Sequence, residues 1–124
     1  MNRPFAKEQR RYLAETLRYA SQDWGRTVQD KGIQSPSYLE LFTEIWLREG
    51  EAVSKTECYR FMRDVSPQTA KKYVRQAIAR GYLKEQDNPN DRRAKLITMS
   101  PDAKALLELS FDRTADRLRG ILRS

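Results

Sequence analysis

Between Ser66 and Lys84 the chain carries five basic residues and no acidic one. Lys71, Lys72 and Arg75, with Gln68, Thr69 and Gln76 among them, fall on one side of a helix. Ala70, Tyr73, Val74, Ala77 and Ile78 recur at helical spacing on the other side. Ammonium and guanidinium groups neutralise phosphates or donate to guanine, and a carboxamide pairs with adenine. A helix with this apolar inner face and this basic, amide-bearing outer face suits a DNA major groove. Gln68 and Thr69, near its start, are the candidates for base readout, with Ser66 at the helix entrance. A second basic group follows at Arg92, Arg93 and Lys95, beside the turn-forming run Asp87-Asn88-Pro89-Asn90-Asp91. Arginines on a hairpin tip can enter a narrow, electronegative minor groove.

Other chemistry is poorly served. The chain has no histidine, so the usual acid–base residue is missing, and Glu85 and Asp87 on a hairpin edge make no convincing catalytic pair. No enzyme activity is expected. A single cysteine excludes an intrachain disulfide, and without histidine it makes no zinc site; no metal or cofactor is expected. Cys58 shares a stripe with Phe61 and Met62 and reads as a small buried hydrophobe, with a redox sensor as the alternative.

The basic groups must be positioned by the elements around them. Ser66 caps the proposed reading helix, Pro67 takes its first position and Gly81 stops it. Ser54 and Glu57 form a capping box for a preceding helix, and Arg63-Asp64-Val65 is the turn between the two, with Asp64 able to adopt a left-handed conformation. Tyr82 to Gln86 and Leu96 to Met99 read as the strands of a wing, and Ala52-Val53 as a short third strand. A long helix is expected over residues 4–30, with Phe5, Tyr12, Leu13, Leu17, Ala20, Trp24 and Val28 near one face and Gly25 able to bend or end it. A second helix runs from Pro36 to Arg48. Its Glu40 and Glu44, with Glu49, make an acidic face expected to point away from DNA. Ser100-Pro101 starts the last helix, in which Leu107, Phe111, Thr114, Leu118 and Ile121 form a heptad-like seam.

At 124 residues the chain is long enough for one domain with a real core and too short for two. Hydrophobic residues at 39% and charged residues at 33% place it among soluble globular chains. Net charge is +7, which favours a polyanionic partner. The distribution is uneven: residues 54–99 hold eleven basic and five acidic groups, whereas residues 35–53 hold one and four. No apolar run approaches membrane-spanning length and no secretory apolar segment opens the chain, so a cytoplasmic, nucleoid-associated location is expected.

The order long helix, helix, helix-turn-helix, wing, helix resembles the multiple-antibiotic-resistance regulator (MarR) family of bacterial winged-helix transcriptional regulators. The most specific piece is Asp91-Arg92-Arg93-Ala94-Lys95-Leu96-Ile97-Thr98-Met99-Ser100-Pro101-Asp102, similar to the family's Asp-x-Arg wing followed by a strand and a helix start. Ser66-Pro67-Gln68-Thr69 and Arg80-Gly81-Tyr82-Leu83 are similar to the opening and exit of its recognition helix. Ala103 stands where the family usually has glycine, and a single C-terminal helix replaces the usual pair. The resemblance implies a dimeric DNA-binding regulator, often a repressor released by a small ligand or by oxidation. It also implies a division of labour in the wing: Arg92 in the minor groove, with Asp91 and Arg93 bracing the hairpin through an ion pair.

The expected fold is mainly α with a small β wing, a single winged helix-turn-helix domain over residues 1–124. Residues 4–30 and 100–123 are its dimerisation helices and residues 36–99 its lobe. The expected interface is Leu13, Leu17, Trp24, Leu107, Phe111, Leu118 and Ile121. The function that follows is a homodimeric, sequence-specific regulator on double-stranded DNA, reading a palindrome and acting as a repressor. The alternatives are an architectural or replication-associated winged helix and a winged-helix protein-interaction module.

Overall fold

The computed structural model describes the backbone of residues 6–122 and the side-chain surroundings of residues 6–119. Phe5 therefore lies outside the described residues, and so does the side chain of Ile121. Helix α1 spans Lys7–Thr27 and continues through Gly25, which neither ends nor bends it into two. The chain then turns at Asp30 (φ 64°) and Gly32 (φ 77°). Trp24 pins this turn, donating from Nε1 to the carbonyl of Ile33 at 2.9 Å. The positive φ of Gly32 favours glycine, and the guanidinium end of Arg80 lies over the position a Cβ would take, where it could swing aside.

Helix α2, Pro36–Leu47, starts on Ser35, whose Oγ accepts from the Ser37 N–H at 3.3 Å, with Pro36 at the first position. It buries Tyr38, Leu41, Phe42 and Ile45. Strand β1 is only Val53–Ser54. Ser54 Oγ accepts from the Glu57 N–H at 3.1 Å and so caps helix α3, Lys55–Phe61. The turn that follows has no left-handed residue: among the described non-glycine residues only Asp30 has positive φ, so Asp64 does not use that conformation. Helix α4, Pro67–Ala79, is held at its start by Ser66 and passes into Gly81 at φ 82°.

Strands β2, Leu83–Asn88, and β3, Asp91–Met99, form an antiparallel hairpin, and β1 joins the far side of β3 to give the order β1-β3-β2. Leu83 faces Met99, Glu85 faces Ile97 and Asp87 faces Lys95, with the register breaking at Asp87/Asn88. This corrects the expected wing. The connection shrinks to Pro89-Asn90, and Arg92 and Arg93 fall within β3 rather than on the hairpin tip, with Lys95 beyond them as expected. Only Asp91, opposite Asn88, pairs with β2 beyond Lys95, and Arg92, Arg93 and Ala94 lie in the irregular stretch between the two pairings.

Helix α5, Pro101–Leu122, crosses back over α1 and α2. Ser100 Oγ accepts from the Ala103 N–H at 3.1 Å at its entrance. The core gathers Trp24, Val28 and Ile33 from the α1 side with Tyr38, Leu41 and Phe42, then Val53, Cys58, Val74, Leu83, Ile97 and Leu107. Trp24 meets Phe42 edge-to-face with centroids 5.8 Å apart. The α1–α5 crossing is polar at its centre: Asp23, 3% exposed, accepts from Ser110 Oγ at 2.8 Å.

Candidate nucleic-acid interface

The outward side of α4 is built from its cap. Ser66 Oγ accepts from the Thr69 N–H at 3.1 Å and donates to Thr69 Oγ1 at 3.0 Å. Two candidate residues are thus tied together at the helix entrance, Ser66 exposed and Thr69 half-buried. Gln68, Lys71, Lys72 and Arg75 are exposed. The Lys71 ammonium stands 5.9 Å from the Tyr59 ring centroid, a contact that leaves it solvated. Opposite them Ala70, Val74 and Ala77 are fully buried, and Tyr73 and Ile78 half-buried, as the apolar stripe requires.

On the wing, Arg92 and Arg93 are exposed and Lys95 half-buried. Arg92 and Arg93 lie between the Asp91 and Lys95 pairings, where the register to β2 breaks. The bracing differs from expectation. Asp91 Oδ1 accepts from the backbone N–H of Arg93 at 2.9 Å, and no Asp91–Arg93 ion pair occurs among the described residues. The wing's ion pair is Lys95 with Asp87. The hydrogen bond and charge of Lys95 hold the Asp87 carboxyl below its usual range, and Asp87 raises the Lys95 ammonium in turn. Lys95 is therefore partly neutralised where it stands.

Several cations of the described residues are claimed by carboxylates. Arg48 pairs with Glu44, Lys55 with Glu85, Lys104 with Glu49 and Arg113 with Asp23. Lys71, Lys72, Arg75, Arg92 and Arg93 pair with no carboxylate among the described residues. These five cations lie on α4 and β3, and no carboxylate pairs with them there. The acidic groups of α2 are instead engaged elsewhere, and one of them does not point away from the helix-turn-helix: Glu40 Oε1 accepts from the Arg63 N–H at 2.8 Å, closing the turn before α4.

Sequence reasoning missed a second polar contact to α4. Gln76 has the spacing of an outward residue, yet its side chain meets the Tyr38 hydroxyl at 3.2 Å. Nothing local signals that contact, because 38 residues separate the partners.

The residues expected at a dimer interface separate by burial. Trp24 (1% exposed) and Leu107 (0%) are enclosed in the chain's own core. Phe111 packs edge-to-face on Trp46 at 5.2 Å, and Leu118 is half-buried. Leu13 (45%) and Leu17 (63%) remain open to solvent, as do Tyr12 on the same helix and Leu109 on α5.

Comparison with known proteins identifies the architecture. No family model and no curated protein matches the sequence. Solved structures do. The transcriptional regulator Tm0710 of Thermotoga maritima superposes with a TM-score of 0.69 at 21% identity, over 94% of this chain and 79% of that one. A mutant of MepR from a multidrug-resistant S. aureus clinical isolate gives 0.72 at 12% identity, over 99% and 84%. Sco3205, a MarR family transcriptional regulator of Streptomyces coelicolor solved in complex with DNA, gives 0.61 at 15% identity, over 98% and 77%. The chain has the winged-helix fold of the MarR regulators.

Proposed function

We propose that this chain is a MarR-type transcriptional regulator: a homodimer that lays α4 into the major groove of a palindromic operator and sets Arg92 against the adjacent minor groove, acting as a repressor. The observation that carries this reading is the exposed row Gln68, Lys71, Lys72 and Arg75 on the outward side of α4, its cations free of any carboxylate partner among the described residues. Phosphate neutralisation supplies most of the affinity of DNA-binding proteins, and it needs cations that no internal carboxylate has claimed. Lys71, Lys72, Arg75, Arg92 and Arg93 meet that requirement on the two elements a winged helix offers to DNA. Lys71, Lys72 and Arg75 hold phosphates; Gln68 and Thr69 read bases near the helix N-terminus; Asp91 keeps the wing in shape through the Arg93 backbone. A small-molecule effector enters the same reading at the cavity between α2, β3 and the start of α5, about 160 Å³, lined by Ile45, Trp46, Ile97, Met99, Arg48 and Lys104 among others.

Selection of bound fragments from random duplex DNA tests the reading. One enriched inverted repeat is the expected result. Binding without a motif would point to an architectural protein, and no binding to a protein-interaction module.

A further inference from the structure

One buried hydroxyl reaches the flank of α4. Tyr38 is 2% exposed, with its ring against Tyr73 (centroids 4.9 Å apart) and Phe42 (6.0 Å). Its hydroxyl lies 3.2 Å from the Tyr73 carbonyl oxygen and 3.2 Å from Gln76 Oε1. A phenol has one proton to give. The Tyr73 carbonyl already takes the helical bond from four residues on, whereas Gln76 Oε1 has no other donor among the described hydrogen bonds. Burial and the neighbouring Tyr73 push the Tyr38 hydroxyl up to about 12, so it keeps its proton at neutral pH. With Oε1 drawn inward, the two N–H groups of the Gln76 amide turn away from the α2–α4 contact. Gln76 directly follows exposed Arg75 and is itself half-buried on the side of α4 that meets α2.

We propose that Gln76 is a further DNA-contacting residue, donating from its amide to a phosphate oxygen on the rim of the major groove, and that Tyr38 is the positioning residue that holds the amide in its donor orientation. The inference rests on the functional reading above. It selects phosphate over base because of where Gln76 sits: Gln68, Lys72 and Arg75 share one line along α4, and Gln76 is rotated roughly 100° from Arg75 toward α2. A side chain on that flank meets the groove wall rather than the base edges. The contact is neutral and sequence-independent, so it adds affinity without adding to the salt dependence.

Fluorescence anisotropy on a mixed-sequence 30-base-pair duplex tests it, with thermal melts confirming that each variant is folded at the assay temperature. Gln76→Ala and Tyr38→Phe should each weaken binding by roughly threefold to tenfold, the range of one ordinary hydrogen bond exchanged with water. The double variant should be no weaker than Gln76→Ala alone. Gln76→Lys should restore binding and steepen the salt slope by about one unit. In that background Tyr38→Phe should have no effect, because an ammonium needs no orienting partner. A merely structural role for Tyr38 predicts the opposite: losses that add, and a Tyr38→Phe penalty that survives Gln76→Lys. Either result overturns the proposal, as does a Gln76→Ala variant that binds like the parent. A parent chain that binds no duplex at all overturns the functional reading and this inference with it, and that failure is visible before any variant is measured.

Discussion

Asp23 on α1 and Ser110 on α5 meet in the buried crossing of the two long helices, with Ser110 Oγ 2.8 Å from Asp23 Oδ2. The same carboxylate accepts from Thr27 Oγ1 at 3.3 Å and has the Arg113 guanidinium 3.6 Å away. A charged group this deep needs its partners, since an unsatisfied buried polar atom costs its full desolvation. The pair ties α5 to α1, the two helices that carry the exposed Leu13, Leu17 and Leu109.

Removing that carboxylate should be expensive. Asp23→Ala is expected to destabilise the fold by about 2–3 kcal/mol, the range for hydrogen bonds to a charged group. Most of this comes from Ser110 and Thr27, because Arg113 is 45% exposed and its attraction is screened. Asp23→Asn, which keeps an acceptor for Ser110, should lose less. Urea unfolding followed by circular dichroism measures both, and equal stability of Asp23→Ala and the parent would remove the crossing from any structural role.

The unpaired lysines of α4 should act through counterion release. Lys71→Ala and Lys72→Ala are each expected to weaken binding to all duplexes alike and to flatten the salt slope by about one unit. Both side chains are exposed, so melting temperatures should stay near the parent's. Titration at four salt concentrations checks this, and parent-like binding at every concentration would take α4 off the DNA.

The two wing arginines should behave differently. Arg92→Ala is expected to lose most affinity on duplexes with A·T-rich flanks, where the minor groove is narrow and electronegative. An equal loss on G·C-rich flanks counts against groove insertion. Asp91→Ala should weaken both kinds of duplex, because it removes the acceptor of the Arg93 N–H and loosens the turn.

How far the sequence carries depends on the reach of the signal. Helix α4 was legible to within a residue, because Ser66-Pro67 and Gly81 bracket an apolar stripe and all three act locally. The start of β3 was not. Asp91-Arg92-Arg93 has turn composition, and only the pairing of Asp91 with Asn88 across the register break carries β3 that far. Periodicity found the inner faces of α1 and α5 but not what covers them, so Trp24 and Leu107 read as interface residues although the chain buries them itself. Asp23 with Ser110, Tyr38 with Gln76 and Arg80 against Gly32 join residues 38 or more apart, and no window of sequence contains both members.

Cys58 should be silent toward thiol reagents in the native state. It is fully buried, and desolvation, with the nearby Glu57 charge, pushes its thiol from 9.0 up to about 12. The reactive thiolate is thus absent at neutral pH. Labelling with an aromatic disulfide is expected only on unfolding, and peroxide should leave DNA binding unchanged. The same shift has a pH consequence. Folding favours the protonated thiol, so its contribution is whole below about pH 9 and is lost as pH rises toward 12, at up to roughly 1.4 kcal/mol per pH unit. Cys58→Ala should remove that part of the alkaline decline while Tyr38, also raised to about 12, keeps its own. Rapid native labelling, or an alkaline limb identical in Cys58→Ala, would contradict this account.

The dimer prediction now rests on fewer residues. Leu13 and Leu17 lie on the solvent side of α1 at 45% and 63% exposure, with Tyr12 near them and Leu109 open on α5. Exposed apolar side chains one turn apart on a helix, as Leu13 and Leu17 are on α1 beside Tyr12, can mark an interface. A two-fold axis beside them would set two copies of α4 about one DNA turn apart, roughly 34 Å, one for each half of a palindrome. Leu13→Glu combined with Leu17→Glu should therefore give a folded monomer, since neither side chain contributes to the protomer core. Truncating Trp24 or Leu107 should instead unfold the chain, at about 2–5 kcal/mol each. Size exclusion with light scattering reads the mass, and anisotropy on a full palindrome against a single half-site reads the function. The parent should run as a dimer at micromolar concentration and favour the palindrome strongly; the charged variant should run as a monomer and lose that preference while retaining half-site binding. A parent of monomer mass, or a charged variant that still dimerises, would move the interface off this face of α1.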